Sequence, residues 1–180
     1  MARPECLQPS QTTTGDIAAP SAGESGLEFQ DQGKTLPNLH GVDFSAVGAR
    51  VDRDWLWHEL TEHAYWAKYR TRDMFEQQLD SAWRVVGAYR AVDGRMVGFC
   101  RAFSDGVAEA YLADVYVSCE ERGREIGQGL LRVMIDEGPG RNFRWMLHTA
   151  DAHNLYEKFG FAAPDATFMQ RDFRLPHVRS

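Results

Sequence analysis

An Asp-Gly pair, Asp93-Gly94, stands between two apolar, β-rich runs at 84–91 and 96–103. Glycine adopts the left-handed conformation that a tight hairpin needs, so this arrangement predicts two antiparallel strands joined at 92–95. A third run of the same kind, 109–117, follows the turn residues Ser104-Asp105-Gly106. Three such strands in sequence predict an antiparallel meander at the centre of the fold.

Helical patterns flank the meander. Before it, 54–66 carries Trp55, Leu56, Leu60 and Ala64 on one stripe, with Asp54 placed to cap the N-terminus. A second helix opens at Thr71 or Arg72, with Thr71 as cap and Met74, Phe75, Leu79 and Ala82 inward. A short strand at 44–51 precedes both. After the meander, a loop at 118–124 leads into a helix over 125–137 with Ile126, Leu130, Val133 and Met134 as its apolar face, ended by Gly138-Pro139-Gly140. A short buried strand at 143–147, a helix at 151–159 closed by Gly160 and a last strand at 167–173 complete the pattern. The order predicts an α/β (α+β layered) domain with a mixed, mostly antiparallel sheet flanked by helices.

Composition divides the chain near residue 40. Residues 1–40 are dominated by Gly, Ser, Thr, Pro and Gln and have almost no aromatics. Such a stretch buries too little apolar surface to offset its ordering entropy. It is expected to be a disordered tail, or a docking peptide that folds on a partner, ahead of one domain at 41–180.

The formal net charge of −6 lacks the basic footprint that nonspecific nucleic-acid binding requires. No apolar run approaches the ~18 residues of a membrane helix, and the first residues lack the layout of a secretory signal, so a cytoplasmic setting is expected. Cys6, Cys100 and Cys119 are odd in number and have no paired spacing. They predict neither a disulfide framework nor a zinc site, and no metal is expected.

The residues that point to chemistry begin at the end of the third strand. There Val115-Tyr116-Val117 runs into Arg122-Gly123-Arg124-Glu125-Ile126-Gly127-Gln128-Gly129 and then a helix. Free amides at a helix start attract an anion, glycines permit close backbone approach, and Arg122 and Arg124 add positive charge. The spacing is neither that of a P-loop nor that of a dinucleotide-binding fingerprint.

The segment resembles the acetyl-CoA-binding motif of the GNAT family of N-acetyltransferases, Q/R-x-x-G-x-G/A. Arg122 holds the first position and Gly127 the last, while Glu125 stands where the motif has its first glycine. A second segment, His148-Thr149-Ala150-Asp151-Ala152-His153-Asn154-Leu155-Tyr156-Glu157-Lys158-Phe159-Gly160-Phe161, resembles the later motif of that family, with Thr149 where Asn is common.

The resemblance implies acetyl transfer from acetyl-CoA to an amine, with a small-molecule amine as acceptor and a homodimer as a common assembly. It implies that backbone groups of Val115, Tyr116 and Val117 face the pantetheine and the thioester. The amides of Gly123, Arg124, Glu125, Ile126, Gly127 and Gln128 would then hold the pyrophosphate, with Thr149 and His153 beside the cofactor. Tyr156 matches the general acid that protonates the departing thiolate. A phenol titrates near ~10 and so still carries its proton at neutral pH. Asp114 is the first candidate for the base, with Asp105, Glu109 and His148 as alternatives. Tyr65, Trp66, Tyr69 and Tyr111 are candidates for the acceptor pocket. A non-catalytic acyl-CoA-binding or interaction module of the same fold, and use of a longer acyl-CoA, are the competing expectations.

Overall fold

The computed structural model describes residues 36–171. Of the tail expected over 1–40, residues 1–35 lie outside them. Leu36–Leu39 already forms a strand, β1, ahead of the boundary expected at residue 41.

Six strands build one sheet in the order β1-β2-β3-β4-β5-β6. They are β1, β2 (Val42–Ser45), β3 (Arg84–Arg90), β4 (Met96–Ser104), β5 (Glu109–Val117) and β6 (Arg144–Met146). Every neighbouring pair is antiparallel except β5 and β6, which run parallel. The meander expected from the sequence is β3-β4-β5. Its Asp-Gly turn has Gly94 at φ 71°, and the Arg90 amide donates to the Arg95 carbonyl across the hairpin at 2.9 Å.

Helices cover both faces. α1 (Arg53–His63) and α2 (Arg72–Asp80) put Leu56, Leu60, Phe75 and Leu79 against Tyr89, Phe99 and Tyr116. On the other face, α3 (Ile126–Leu131) continues into a π-helical stretch, Arg132–Asp136. It buries Ile126, Leu130, Leu131 and Met134 with Val86, Ala88, Cys100, Ala102 and Leu112. Tyr156 of the short α4 (His153–Glu157) joins that second cluster. The period-two alternation of β-strands explains why consecutive residues such as Phe99 and Cys100 supply different cores.

Several local expectations change. The strand expected at 44–51 is β2 followed by a 3-10 turn at Gly48–Arg50. Asp52, not Asp54, caps α1 by accepting from the Trp55 amide at 3.0 Å, and Asp54 instead pairs with Arg72. The first helix stops at His63, and Tyr65–Ala67 forms a separate 3-10 turn. Thr71 caps α2 as expected, but Met74 faces solvent and Ala82 falls beyond the helix end. β6 is three residues long and only partly buried, not a buried strand over 143–147, because it lies at the edge of the sheet. Residues 167–171 form no strand; 172 and 173 lie outside the described residues.

Candidate active site

The site is organised by where β5 loses its partner. β5 and β6 pair only at Glu109 with Arg144, Ala110 with Trp145 and Tyr111 with Met146. β5 then runs on to Val117, while β6 ends at Met146. Among the described residues no strand covers that side of β5 beyond Tyr111. The backbone groups of Val115, Tyr116 and Val117 lie on this divergent half.

A bulge bends the same stretch. Phe99 faces Tyr116 and Arg101 faces Ala113, so Cys100 alone opposes both Asp114 and Val115. Asp114 adopts φ 51°, a left-handed conformation that a side chain bearing Cβ resists by ~1–2 kcal/mol, and Asp tolerates it better than most. Two guanidinium groups hold it there. Arg70 donates to both carboxylate oxygens, at 2.9 and 3.1 Å, and Arg101 donates to Oδ2 at 2.5 Å. Burial by itself raises the Asp114 pKa. The Arg70 hydrogen bonds and the charges of both arginines outweigh it and hold the carboxyl below its ordinary value. Asp114, the first sequence candidate for the base, is thus a buried anion with both oxygens engaged, which makes it a poor proton acceptor.

Past Val117, a 3-10 turn (Cys119–Glu121) leads to Gly123 at φ 79° and Glu125 at φ 58°, and then α3. Arg122 Nε donates to the Val117 carbonyl at 3.2 Å, and its guanidinium lies over the Tyr116 ring, which ties the loop to the strand end. Arg124 pairs with Glu121 and donates to the His40 carbonyl. The Glu125 carboxylate is half exposed and lies 3.7 Å from His40 Nε2. A Cβ added to Gly127 would lie 3.5 Å from Leu155 and 4.0 Å from Val117, so α3 begins between the end of β5 and α4. Gln128 follows within the first turn of α3.

Tyr156 lies on α4 beside Leu155, the residue nearest to a Cβ on Gly127. It is 8% exposed and packs edge-on against Phe161. Burial, with Cys100, Asp151 and Tyr65 adding to it, pushes its pKa up to about 12. The phenol therefore keeps its proton throughout the neutral range. Thr149 accepts from the Ala152 amide at 3.1 Å and shapes the entry to α4, and His153 is exposed at its start.

Of the acceptor candidates, Tyr111 stands at the last β5–β6 pair, opposite Met146. The Tyr111 ring stacks on Phe103 at 4.8 Å, and its hydroxyl bonds His148 Nδ1. His148 Nε2 bonds Gln170 Oε1, an acceptor, so Nε2 carries the hydrogen and Nδ1 accepts from the phenol. Tyr65 and Trp66 pack edge to face, and both are substantially exposed. The Tyr65 hydroxyl accepts from the Ala150 amide at 3.2 Å. Tyr69, 82% exposed, makes no comparable contact. The other base candidates are used elsewhere. Asp105 accepts from the amides of Val107, Ala108 and Glu109 in its own turn, and Glu109 faces Arg144.

A cavity of about 420 Å³ lies along β6 and α4, lined by Trp145, Leu147, His148, His153, Tyr156 and Phe168 among others. None of its lining comes from β5 or from residues 122–128. It therefore touches the candidate site at Tyr156 and His148 without including the loop before α3.

Sequence reading missed Arg70, Arg101 and Gln170. Arg101 had a signal: a charged residue inside the otherwise apolar run 96–103. Arg70 and Gln170 had none, since each meets its partner only through the fold.

A bulged strand diverging from a parallel neighbour, a glycine-containing loop opening a helix, and a short helix packed against that loop define an acyltransferase-type fold. The comparisons agree. The model of the GNAT acetyltransferase family matches residues 53–161, and the chain belongs to that family. A crystal structure from Xanthomonas campestris, assigned to the same family, superposes with a TM-score of 0.68 at 31% identity, over 73% of this chain and 93% of that one. A Gibberella zeae protein assigned as an acetyltransferase is 29% identical over 133 residues, 69% of this chain and 74% of its own length. A Clostridium acetobutylicum acetyltransferase crystallised with acetyl-CoA shares the fold at 16% identity, with a TM-score of 0.55 over 73% of this chain and 96% of that one.

Proposed function

We propose that this acetyltransferase moves the acetyl group of acetyl-CoA to a primary amine of a small molecule by direct attack. The observation that carries the reading is the run of β5 past its last pair with β6, ending at the loop before α3 with Leu155 of α4 alongside. Amides are the main-chain groups best suited to a diphosphate, and two left-handed residues turn those of 123–128 around the helix start. The free edge of β5 offers main-chain donors and acceptors to an amide-bearing pantetheine arm.

In the reaction, the neutral amine nitrogen attacks the thioester carbonyl carbon. The C–N bond forms as the carbonyl π electrons move to oxygen. On collapse the C–S bond breaks, and the thiolate takes the Tyr156 phenolic proton. The proton lost by the nitrogen passes to the Tyr111 hydroxyl, whose own proton moves to His148 Nδ1; solvent then takes the proton from His148 and returns one to the Tyr156 phenolate, which closes the cycle. This places His148, an alternative in the sequence reading, in the role first expected of Asp114. Tyr65 and Trp66, packed edge to face and exposed, offer an aromatic surface that suits an acceptor with an apolar body.

Thiol release measured with acetyl-CoA and a panel of amines, with the acetylated product identified by mass, tests the reading. Turnover with at least one amine is expected. One observation favours a second reading, a non-catalytic CoA-binding module: Glu125 carries a carboxylate at the loop position the family gives to glycine. Calorimetric binding of CoA without turnover of any amine would support that module.

A further inference from the structure

The 3-10 turn Tyr65–Ala67 and the residues after it do more than present aromatics. At one end, the Tyr65 hydroxyl accepts from the Ala150 amide, just past β6. At the other end, Arg70 forks onto Asp114, the bulge residue of β5. A single short segment thus bridges the β5 bulge and the connection between β6 and α4. The Arg70 end is well anchored, because its side chain is 12% exposed and that of Asp114 only 4%. A bidentate guanidinium fixes orientation as well as distance.

We infer that residues 65–70 form a strap across the gap between the β5 bulge and the segment that follows β6, with Arg70 as its positioning residue. The inference rests on the proposed acetyl-CoA reading. The strap sets the width of the gap and ties the acceptor-side aromatics to the backbone that receives the thioester. Occupying the gap should therefore quiet both ends together, because the Asp114 bulge is common to them. Arg101 holds the bulge from β4 independently, so removing Arg70 frees the strap without dismantling β5.

Hydrogen exchange read by mass spectrometry, with and without acetyl-CoA, tests this on the whole chain. In the unaltered protein, acetyl-CoA should slow exchange at 115–117 and at 65–70, each at least fivefold. In Arg70→Met the protection at 115–117 should persist while that at 65–70 disappears, with the calorimetric Kd for acetyl-CoA changed less than threefold. Arg70→Lys keeps the charge but not the fork, and should recover only part of the strap's protection. Protection at 115–117 without any at 65–70 in the unaltered protein overturns the strap alone. Protection at 65–70 that survives Arg70→Met overturns Arg70 as its anchor. No protection at either segment, with no calorimetric heat, overturns the acetyl-CoA reading and the strap with it.

Discussion

Single side chains carry the sharpest expectations. Tyr156 keeps its proton because burial disfavours the phenolate, and that proton is useful only when a thiolate departs. Tyr156→Phe should therefore lower kcat by ~10²-fold, the lower part of the range for a lost general acid, and leave KM for acetyl-CoA within about twofold. An unchanged kcat would remove Tyr156 from the chemistry. Glu125 sits at φ 58° with its Cβ in a strained position and a carboxylate beside the loop expected to take a diphosphate. Relief of the left-handed strain, ~1–2 kcal/mol, exceeds the ~0.5–1 kcal/mol entropic cost of glycine. Glu125→Gly should raise Tm by a few degrees and lower the calorimetric Kd for acetyl-CoA several-fold. Weaker binding in that variant would mean that the carboxylate helps to shape the loop.

Among the elements, α3 packs closely against β2. A Cβ on Gly129 would lie 2.2 Å from Phe44 Cζ, and Phe44 is 2% exposed with no space to retreat into. Overpacking of that kind costs ~1–3 kcal/mol, against ~1 kcal/mol gained from the better helix propensity of alanine. Gly127, one turn end earlier, meets only ordinary contacts at 3.5 and 4.0 Å. Urea unfolding should thus move in opposite directions, with Gly129→Ala less stable and Gly127→Ala more stable than the parent. Equal shifts would mean that α3 and β2 are not in the close contact described. The helix itself was legible from Ile126, Leu130, Val133 and Met134. Its closeness to β2 was not, because Phe44 is more than eighty residues away in the chain and no periodicity reports so distant a neighbour.

At the scale of the whole molecule, the buried Arg70–Asp114–Arg101 cluster links the α1–α2 connection to the centre of the sheet. Because the Asp114 carboxyl is held below its ordinary value, its stabilising contribution is complete above ~3.9 and is lost as pH falls through the lower folded-state value. Asparagine keeps the left-handed backbone but removes the charge, which leaves Arg101 buried without its ion pair. Asp114→Asn should cost ~3 kcal/mol at pH 7 by urea unfolding, and the difference should shrink as the pH is taken below ~3.9. A gap that stays constant down to pH 2 would show that the charge of Asp114 contributes nothing. The sequence by itself determined the meander, through Asp93-Gly94 and alternating apolar residues, and the two motifs that announce the family. Both are local, since turn geometry and residue spacing act within a few positions along the chain. The tertiary structure alone decided that two arginines engage Asp114, that His148 bonds the Tyr111 hydroxyl, and that Tyr65 meets the Ala150 amide while Arg70 meets the β5 bulge. Those facts depend on which distant side chains a folded backbone brings within hydrogen-bond reach, and buried charge takes its meaning only from such partners.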